Sequence, residues 1–291
     1  MKLSIIIVNY NTLDLLRDCI ESIKNSISQI DYEIIVVDNN SIDGSVELLK
    51  SEYSEVKIIE NNYNAGFSRA NNQGYAISQG EYVLLMNSDT VAREDSLNRL
   101  VDFLDKHQEA ALVGPRLLNT DLTLQPPCRR GFPRFINSLA YFCGLGKVFS
   151  GNRILGSYTM SYKNDKETHE VDAVSGACLM IRRSIVEQLG KLLDEDFFMH
   201  FEDIDLCFRV KKLGQKVYYK HDAEVVHLKG QSSKLRRKYV IGEFYKSAKL
   251  YFKKNYKAEN PIAYYFLVFS IVFIHFSAIT IHKVKHFGRK T

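Results

Sequence analysis

The chain has 291 residues, 45% hydrophobic and 25% charged, which suits one large domain or a domain with an appendage and excludes a disordered or low-complexity chain. Its five cysteines, Cys19, Cys128, Cys143, Cys178 and Cys207, are odd in number and never spaced as Cys-x-x-Cys, which argues against a disulfide framework or thiolate zinc site and fits a reducing compartment. The net charge of +5 is uneven: from Lys229 onward fourteen Lys and Arg oppose Glu243 and Glu259, so that segment carries +12 and residues 1–228 carry −7, an acidic body with a basic tail suited to an anionic surface.

The opening run, Leu3–Val8, reads as a first strand and not as a signal peptide, because polar Asn9 and Asn11 follow it without a small-residue cleavage site. Helical periodicity covers Leu13–Ile27. A second strand, Tyr32–Asp38, precedes a helix over 46–53, and a third, Val56–Glu60, precedes a Gly-punctuated helix over Ser68–Ser78. Tyr82–Met86 is the fourth strand, with a helix over Asp95–Lys106 after it. Near-continuous apolar strands separated by helices predict a parallel sheet covered on both faces. The pattern breaks over Thr120–Glu170, where Pro126, Pro127, Pro133, Arg129, Arg130, Arg134 and several aromatics form an irregular stretch, either a substrate-recognition insertion or a surface excursion. A strand and short helix follow over 174–190. A helix then starts near Glu202 with Leu206, Val210 and Leu213 on one face, and 217–230 reads as strand, turn and second strand ending near His227. No internal repeat is present.

Near the C-terminus, Ile262–Ile281 contains no Lys, Arg, Asp or Glu. Its length matches the roughly 20 residues that span a bilayer as a helix. Basic residues flank both ends, so charge does not set an orientation. A segment lying in the membrane interface, or buried against a partner, stays open.

In open parallel sheets ligands sit beyond the carboxyl ends of the strands. Asn9-Tyr10-Asn11, Asp38-Asn39-Asn40 and Asn87-Ser88-Asp89 all follow predicted strands. One such cluster is ordinary turn chemistry; three on one edge point to a binding crevice. Residues 61–74 pass from loop into helix, with glycines that permit close backbone approach and a helix N-terminus that attracts phosphate. No Gly-Lys-Ser/Thr and no Gly-x-Gly-x-x-Gly fingerprint is present, which removes the usual NTPase and dehydrogenase readings. Glu202, Asp203 and Asp205 crowd a first helical turn, where acids favour the helix dipole. They also follow the aromatic run 197–201, and a carboxylate beside an apolar wall can have a raised pKa and act as a base. His227 ends an apolar strand, as a packed residue or as a ligand.

Seven segments in series, SIIIVNYN, VVDNNSIDGS, NAGFSRANNQG, LLMNSD, SGACLMIRR, FFMHFEDIDLCFR and VVHLKG, resemble the family 2 glycosyltransferases, in particular their rhamnosyltransferase-like branch in bacterial polysaccharide synthesis. The resemblance covers residues 1 to about 230. It implies a GT-A fold: an α/β, Rossmann-like, mostly parallel mixed sheet flanked by helices. Residues 1–114 would bind the nucleotide sugar, 115–230 the acceptor, and 231–291 would form a helical, membrane-associating tail.

The resemblance also implies roles. Asp38 would accept a hydrogen bond from the base, with Asn11 and Asp43 lining the same pocket. Asn64, Gly66, Arg69 and Asn72 would approach the nucleotide or diphosphate, as would Asn87 and Ser88. Asp89 ends the Asp-x-Asp-type motif and would bind a divalent cation, Mg2+ or Mn2+, with His227 a further contact. Asn87 departs from the motif's first acid, which implies weaker metal binding. Asp203 would be the general base of an inverting transfer, Glu202 would orient the acceptor, and Gly176 and Ala177 would leave room for it.

The donor implied is dTDP-L-rhamnose, with UDP-hexoses close behind, and the acceptor a lipid-linked saccharide at the cytoplasmic face of the bacterial inner membrane, the tail being peripheral or single-span. A sugar nucleotidyltransferase would carry a Gly-rich basic signature after its first strand, which 8–18 lacks. A non-catalytic scaffold is opposed by the retention of Asp38, Asp89, Asp203 and His227. Nucleic-acid binding by the basic tail is opposed by the apolar stretch beside it. Oligomeric state is not legible.

Overall fold

The structure is a computed structural model that describes residues 1–149, 151–228 and 237–257, with 261, 264, 265 and 268. Its first half alternates β1 (Leu3–Asn9), α1 (Leu13–Ser26), β2 (Tyr32–Asp38), α2 (Ser45–Glu52), β3 (Lys57–Glu60), α3 (Phe67–Ile77) and β4 (Tyr82–Asn87). The short β5 (Thr90–Ala92), α4 (Ser96–Lys106) and β6 (Ala110–Leu118) follow. The irregular stretch holds β7 (Arg129–Arg130), α5 (Phe135–Phe142), α6 (Leu145–Val148), β8 (His169–Val171) and β9 (Ala173–Val174). Then come β10 (Cys178–Arg182), α7 (Arg183–Leu189), α8 (Glu202–Lys212), β11 (Lys216–His227) and α9 (Arg237–Asn255).

Among the described residues the main sheet has nine strands in the order β3-β2-β1-β4-β10-β6-β11-β5, with β8 pairing to β11. The first four strands in this order are parallel. β10 runs antiparallel to both β4 and β6, whereas β11 is parallel to β6. The sheet is therefore mixed, and the antiparallel insertion of β10 brings the second half of the chain beside the first. Consecutive Ile5, Ile6 and Ile7 are each 0% exposed. Alternate residues point to opposite faces, so both faces are covered. Helix α3 packs on β1 and β2, α4 on β6 and β11, and α8 on β9 and β11.

Three features differ from the sequence expectation. β6 was not singled out, because Gly114 and Pro115 interrupt its apolar run; a Cβ on Gly114 would lie 2.6 Å from Val174 Cβ. Residues 216–227 form one strand and not two. Its ladder with β6 skips between Lys220 and Glu224, opposite Pro115 and Arg116, and proline has no N–H to donate there, so the strand bulges instead of turning. Leu213 follows the last turn of α8 and is 42% exposed, unlike buried Leu206 and Val210.

No helix among the described residues is long and apolar enough to cross a membrane. The stretch 262–281 lies outside the described residues apart from 264, 265 and 268. The nearer part of the tail packs on the body through α9. Ala248, Tyr251 and Phe252 are buried, Ser247 Oγ donates to Met199 O at 2.8 Å, and Lys254 pairs with Asp194 and Asp196, each at 2.6 Å.

Candidate active site

The three polar clusters meet on one edge because strand register aligns them: Asn9 pairs with Asp38 across β1 and β2, and Val8 with Asn87 across β1 and β4. Asp38 is 1% exposed, and both its oxygens accept hydrogen bonds, Oδ1 from Asn9 Nδ2 at 2.8 Å and Oδ2 from Ser41 N at 2.8 Å. Each oxygen keeps a further lone pair, so the carboxylate is fixed in place while still able to accept. Asn11 adopts φ 54, a left-handed conformation that asparagine tolerates, and its Oδ1 accepts from Ile42 N at 2.8 Å. Asp43 is occupied locally: Oδ2 accepts from Leu13 N and Oδ1 from Ser45 N and Oγ, so it caps both α1 and α2. Ser88 Oγ lies 2.8 Å from Thr12 Oγ1, which donates to Asn9 Oδ1, tying the β4 turn to the β1 turn.

The loop before α3 is held by side-chain amides. Asn39 Oδ1 accepts from Asn61 Nδ2 and Ala65 N, and Asn64 Oδ1 from Gly66 N at 3.0 Å. Gly66 has φ +84, and a Cβ there would lie 2.6 Å from Phe198 Cδ2. Phe67 N donates to Phe198 O at 2.7 Å. Asn72 exchanges hydrogen bonds with the Leu193 backbone and also donates to Glu195. It clasps the loop before α8 instead of facing the crevice. Arg69, one turn into α3, is exposed.

Asp89 is 6% exposed and faces His227 Nε2 across 3.4 Å. The tautomer follows from Gln125. Its Nε2 donates to His227 O at 2.8 Å, which leaves its Oε1 3.0 Å from His227 Nδ1. Nδ1 is therefore the donor, and such a backing hydrogen bond orients the ring with Nε2 toward Asp89, as in an imidazole prepared to ligate a metal. Asn87 Oδ1, on the same turn as Asp89, is buried with no hydrogen-bond partner. Carboxylate, imidazole and amide oxygen fit a divalent cation that completes its shell with water and phosphate oxygens. Among the described residues no three His, Cys, Asp or Glu side chains converge to hold a metal by themselves.

The acids at the head of α8 follow two consecutive left-handed residues, His200 and Phe201, both at φ 68. Such strain persists only where surrounding structure enforces it, and Phe201 is wedged against Phe244 and Tyr251 of α9. Asp203 Oδ2 pairs with Arg130 Nη2 at 2.5 Å and accepts from Gly176 N at 2.9 Å, and Oδ1 accepts from Ile204 N at 2.7 Å. Burial opposes the charge on Arg130, but the Asp203 carboxylate more than offsets it and raises the arginine's pKa. Glu202 is 7% exposed and its Oε2 has no partner. Burial first, and the Asp203 charge second, push its carboxyl up to about 8. A Cβ on Gly176 would stand 3.3 Å from Asp203 Cβ and 3.6 Å from Glu202 Oε1, so only glycine leaves this space beside both acids. Asp205 points elsewhere, to Arg209 and Asn255.

The two halves are bonded through one turn. Asn87 N donates to Ala177 O at 2.9 Å, and the adjoining Gly176 N donates to Asp203. Sequence reasoning missed Gln125 and the pairing of Arg130, both within the irregular stretch, where no periodicity marks which side chains turn inward. Four cysteines, Cys19, Cys128, Cys178 and Cys207, are buried, and burial raises their thiol pKa values.

Residues 4–190 match the family model for glycosyl transferase family 2. The N-acetylglucosaminyl-diphospho-decaprenol L-rhamnosyltransferase of Mycobacterium tuberculosis is 28% identical over 214 residues, 69% of this chain and 67% of that protein. The low-salt glycan biosynthesis hexosyltransferase Agl10 of Haloferax volcanii is 32% identical over 219 residues, 72% of this chain and 62% of its own length. The crystal structure of S. aureus TarS 1-349 in complex with UDP-GlcNAc superposes with a TM-score of 0.60 at 16% identity, covering 95% of this chain and 73% of that one, a likeness of fold.

Proposed function

The chain belongs to glycosyl transferase family 2, and on that premise we propose that it is an inverting glycosyltransferase that moves a sugar from a nucleoside diphosphate onto a hydroxyl of a lipid-linked saccharide. The observation that carries this reading is the Gly176-Ala177 turn, hydrogen-bonded on one side to the strand-end edge at Asn87 and on the other to Asp203. A donor lying along the edge presents its anomeric carbon to an acceptor beside the acids.

In this reading Asp38 receives the base, and the amide-held loop at Gly66 lets the backbone approach the diphosphate. Asp89 and His227, with Asn87, would hold a divalent cation, which would supply positive charge to offset that of the diphosphate. Asp203 is the general base. The salt bridge from Arg130 and the hydrogen bond from Gly176 N orient its carboxylate for proton abstraction. Glu202 keeps its proton at neutral pH and donates a hydrogen bond to acceptor or donor sugar. Two adjacent carboxyl groups in unlike surroundings divide the two tasks.

The donor proposed is dTDP-L-rhamnose, with the L-rhamnosyltransferase relative as support, and UDP-hexoses are the competing donors. That relative's name also supports a lipid-linked acceptor, and we place the reaction at the cytoplasmic face of the bacterial inner membrane. Calorimetric titration of dTDP-rhamnose and UDP-glucose, each with and without Mn2+, tests the reading on wild type and Asp89→Ala. The expected outcome is binding of one donor that Mn2+ strengthens and Asp89→Ala weakens. Failure of folded protein to bind either donor would overturn the donor assignment, and binding indifferent to Mn2+ and to Asp89 would remove the metal.

A further inference from the structure

We propose that the outward face of α5 and α6 docks on an anionic lipid surface. Ile136, Leu139, Leu145, Val148, Phe149 and Ile154 are exposed along this short helical pair and the turn after it, Val148 by 74% and Ile154 by 61%. Apolar side chains gathered on one exposed excursion mark an interaction surface. The charge around them is one-sided. From Leu122 to Asn164 the chain has no Asp or Glu and six Lys and Arg; Arg129 and Arg130 are buried, whereas Arg134 and Arg153 are exposed beside the apolar side chains. Residues 1–228 carry −7 in total, so the rest of that body carries −13.

This charge pattern selects the occupant. A second copy seated on the same face would set Arg134 and Arg153 against their own counterparts, with no acid between 122 and 164 to meet them. The basic segment from Lys229 onward, at +12, is repelled in the same way. A membrane of anionic phospholipid accepts both the apolar side chains and their cationic rim, the combination that seats helices in the interface. The strongly acidic remainder of the body turns away from such a surface, which fixes the orientation.

The placement suits the chemistry. Arg134 and Asn137, at the head of α5, line a cavity of about 390 Å³ with Gly131, Phe132, Tyr162 and Asp172. Gly131 directly follows Arg130, the partner of Asp203. Docking through α5 holds this cavity beside the lipid, where a saccharide on a lipid carrier would be presented. The docking goes beyond the transfer reaction and stands without it.

The test is co-sedimentation of the full chain with phosphatidylcholine vesicles, with and without phosphatidylglycerol. Wild type is expected to partition onto the anionic vesicles. The double variant Val148→Asp/Phe149→Asp should lower that partition coefficient by about tenfold or more, since two apolar contacts become repulsive charges. Arg153→Glu, which leaves the apolar contacts intact, should lower it severalfold, with the deficit shrinking in high salt. These side chains are exposed, so an unchanged circular-dichroism melt is expected. Should the double variant unfold, Arg153→Glu alone decides. Wild type that ignores anionic vesicles, or variants that partition like wild type, would overturn the proposal. So would variants that turn a dimer into a monomer in sedimentation while vesicle binding stays the same, because the face would then join two copies.

Discussion

Asp203 and Glu202 are adjacent in sequence and opposite in surroundings. The first is clamped by Arg130, Gly176 N and Ile204 N, and the second has a buried oxygen with no partner. Asp203→Asn keeps the shape and removes the base, so transfer should fall by about 10²–10⁴-fold with donor affinity unchanged. Single-turnover transfer beside calorimetric donor binding checks this, and near-normal transfer would take the role from Asp203. The variant also leaves Arg130 buried without its counter-ion, a loss of roughly 3–5 kcal/mol by urea denaturation. Glu202 gives a pH signature. Its proton is held more tightly folded than unfolded, so its contribution to stability is full below the ordinary glutamate range and is lost as pH rises through about 8. Glu202→Gln stays neutral throughout. Its Tm should therefore gain on wild type from pH 5 to pH 9, whereas parallel Tm profiles would mean that Glu202 titrates as an ordinary surface acid.

At the scale of elements, the head of α3 and the loop before α8 behave as one clasp. Phe67 N bonds Phe198 O, and Asn72 bonds the Leu193 backbone, so the loop entering α3 and the segment leading to the acids share contacts. Gly66 sits in that joint at φ +84 with no room for a Cβ. Gly66→Ala should lose about 1–3 kcal/mol of stability. It should also weaken donor binding and transfer together, whereas a purely local turn would weaken stability alone. Asn72 shows how such roles escape sequence reading. The family pattern implies contact with the donor, but its amide is spent on a partner 121 positions away.

For the molecule as a whole, α9 links the C-terminal part of the chain to the acids. Tyr251 is 0% exposed and lies against Phe201 and Phe208, so one ring touches both the residue before Glu202 and the helix behind it. Tyr251→Ala should cost about 3–5 kcal/mol in urea denaturation, as for other large aromatic truncations. Because Phe201 is held in a left-handed conformation by that packing, transfer per folded molecule should also fall. A destabilised variant with normal transfer would reduce α9 to a structural prop. Together with α5 and α6, this helix gives the second half of the chain three elements outside the strand-and-helix frame of the first half.

The alternation of strands and helices in the first half, the polar edge and the acid pair were all written locally. An apolar run four to seven residues long, a small polar cluster and a helical start each depend on neighbours in sequence, so Asn9, Asp38, Asn87 and Glu202 could be placed from the chain alone. What the chain could not declare were bonds between distant segments. Arg130 reaches Asp203 across 73 positions and Gln125 reaches His227 across 102. The first follows from the pairing of β7 with β9, which sets Arg130 beside Val174 under α8, and the second from the parallel ladder of β6 and β11, where Leu118 pairs with Val226 and Gln125 bonds back to the end of β6. The sequence by itself determined which residues could do chemistry and on which edge they lie; the tertiary structure alone decided which of them are held, which are spent as caps and clasps, and which carry a proton, because those outcomes depend on burial and on partners that only closure of the fold supplies.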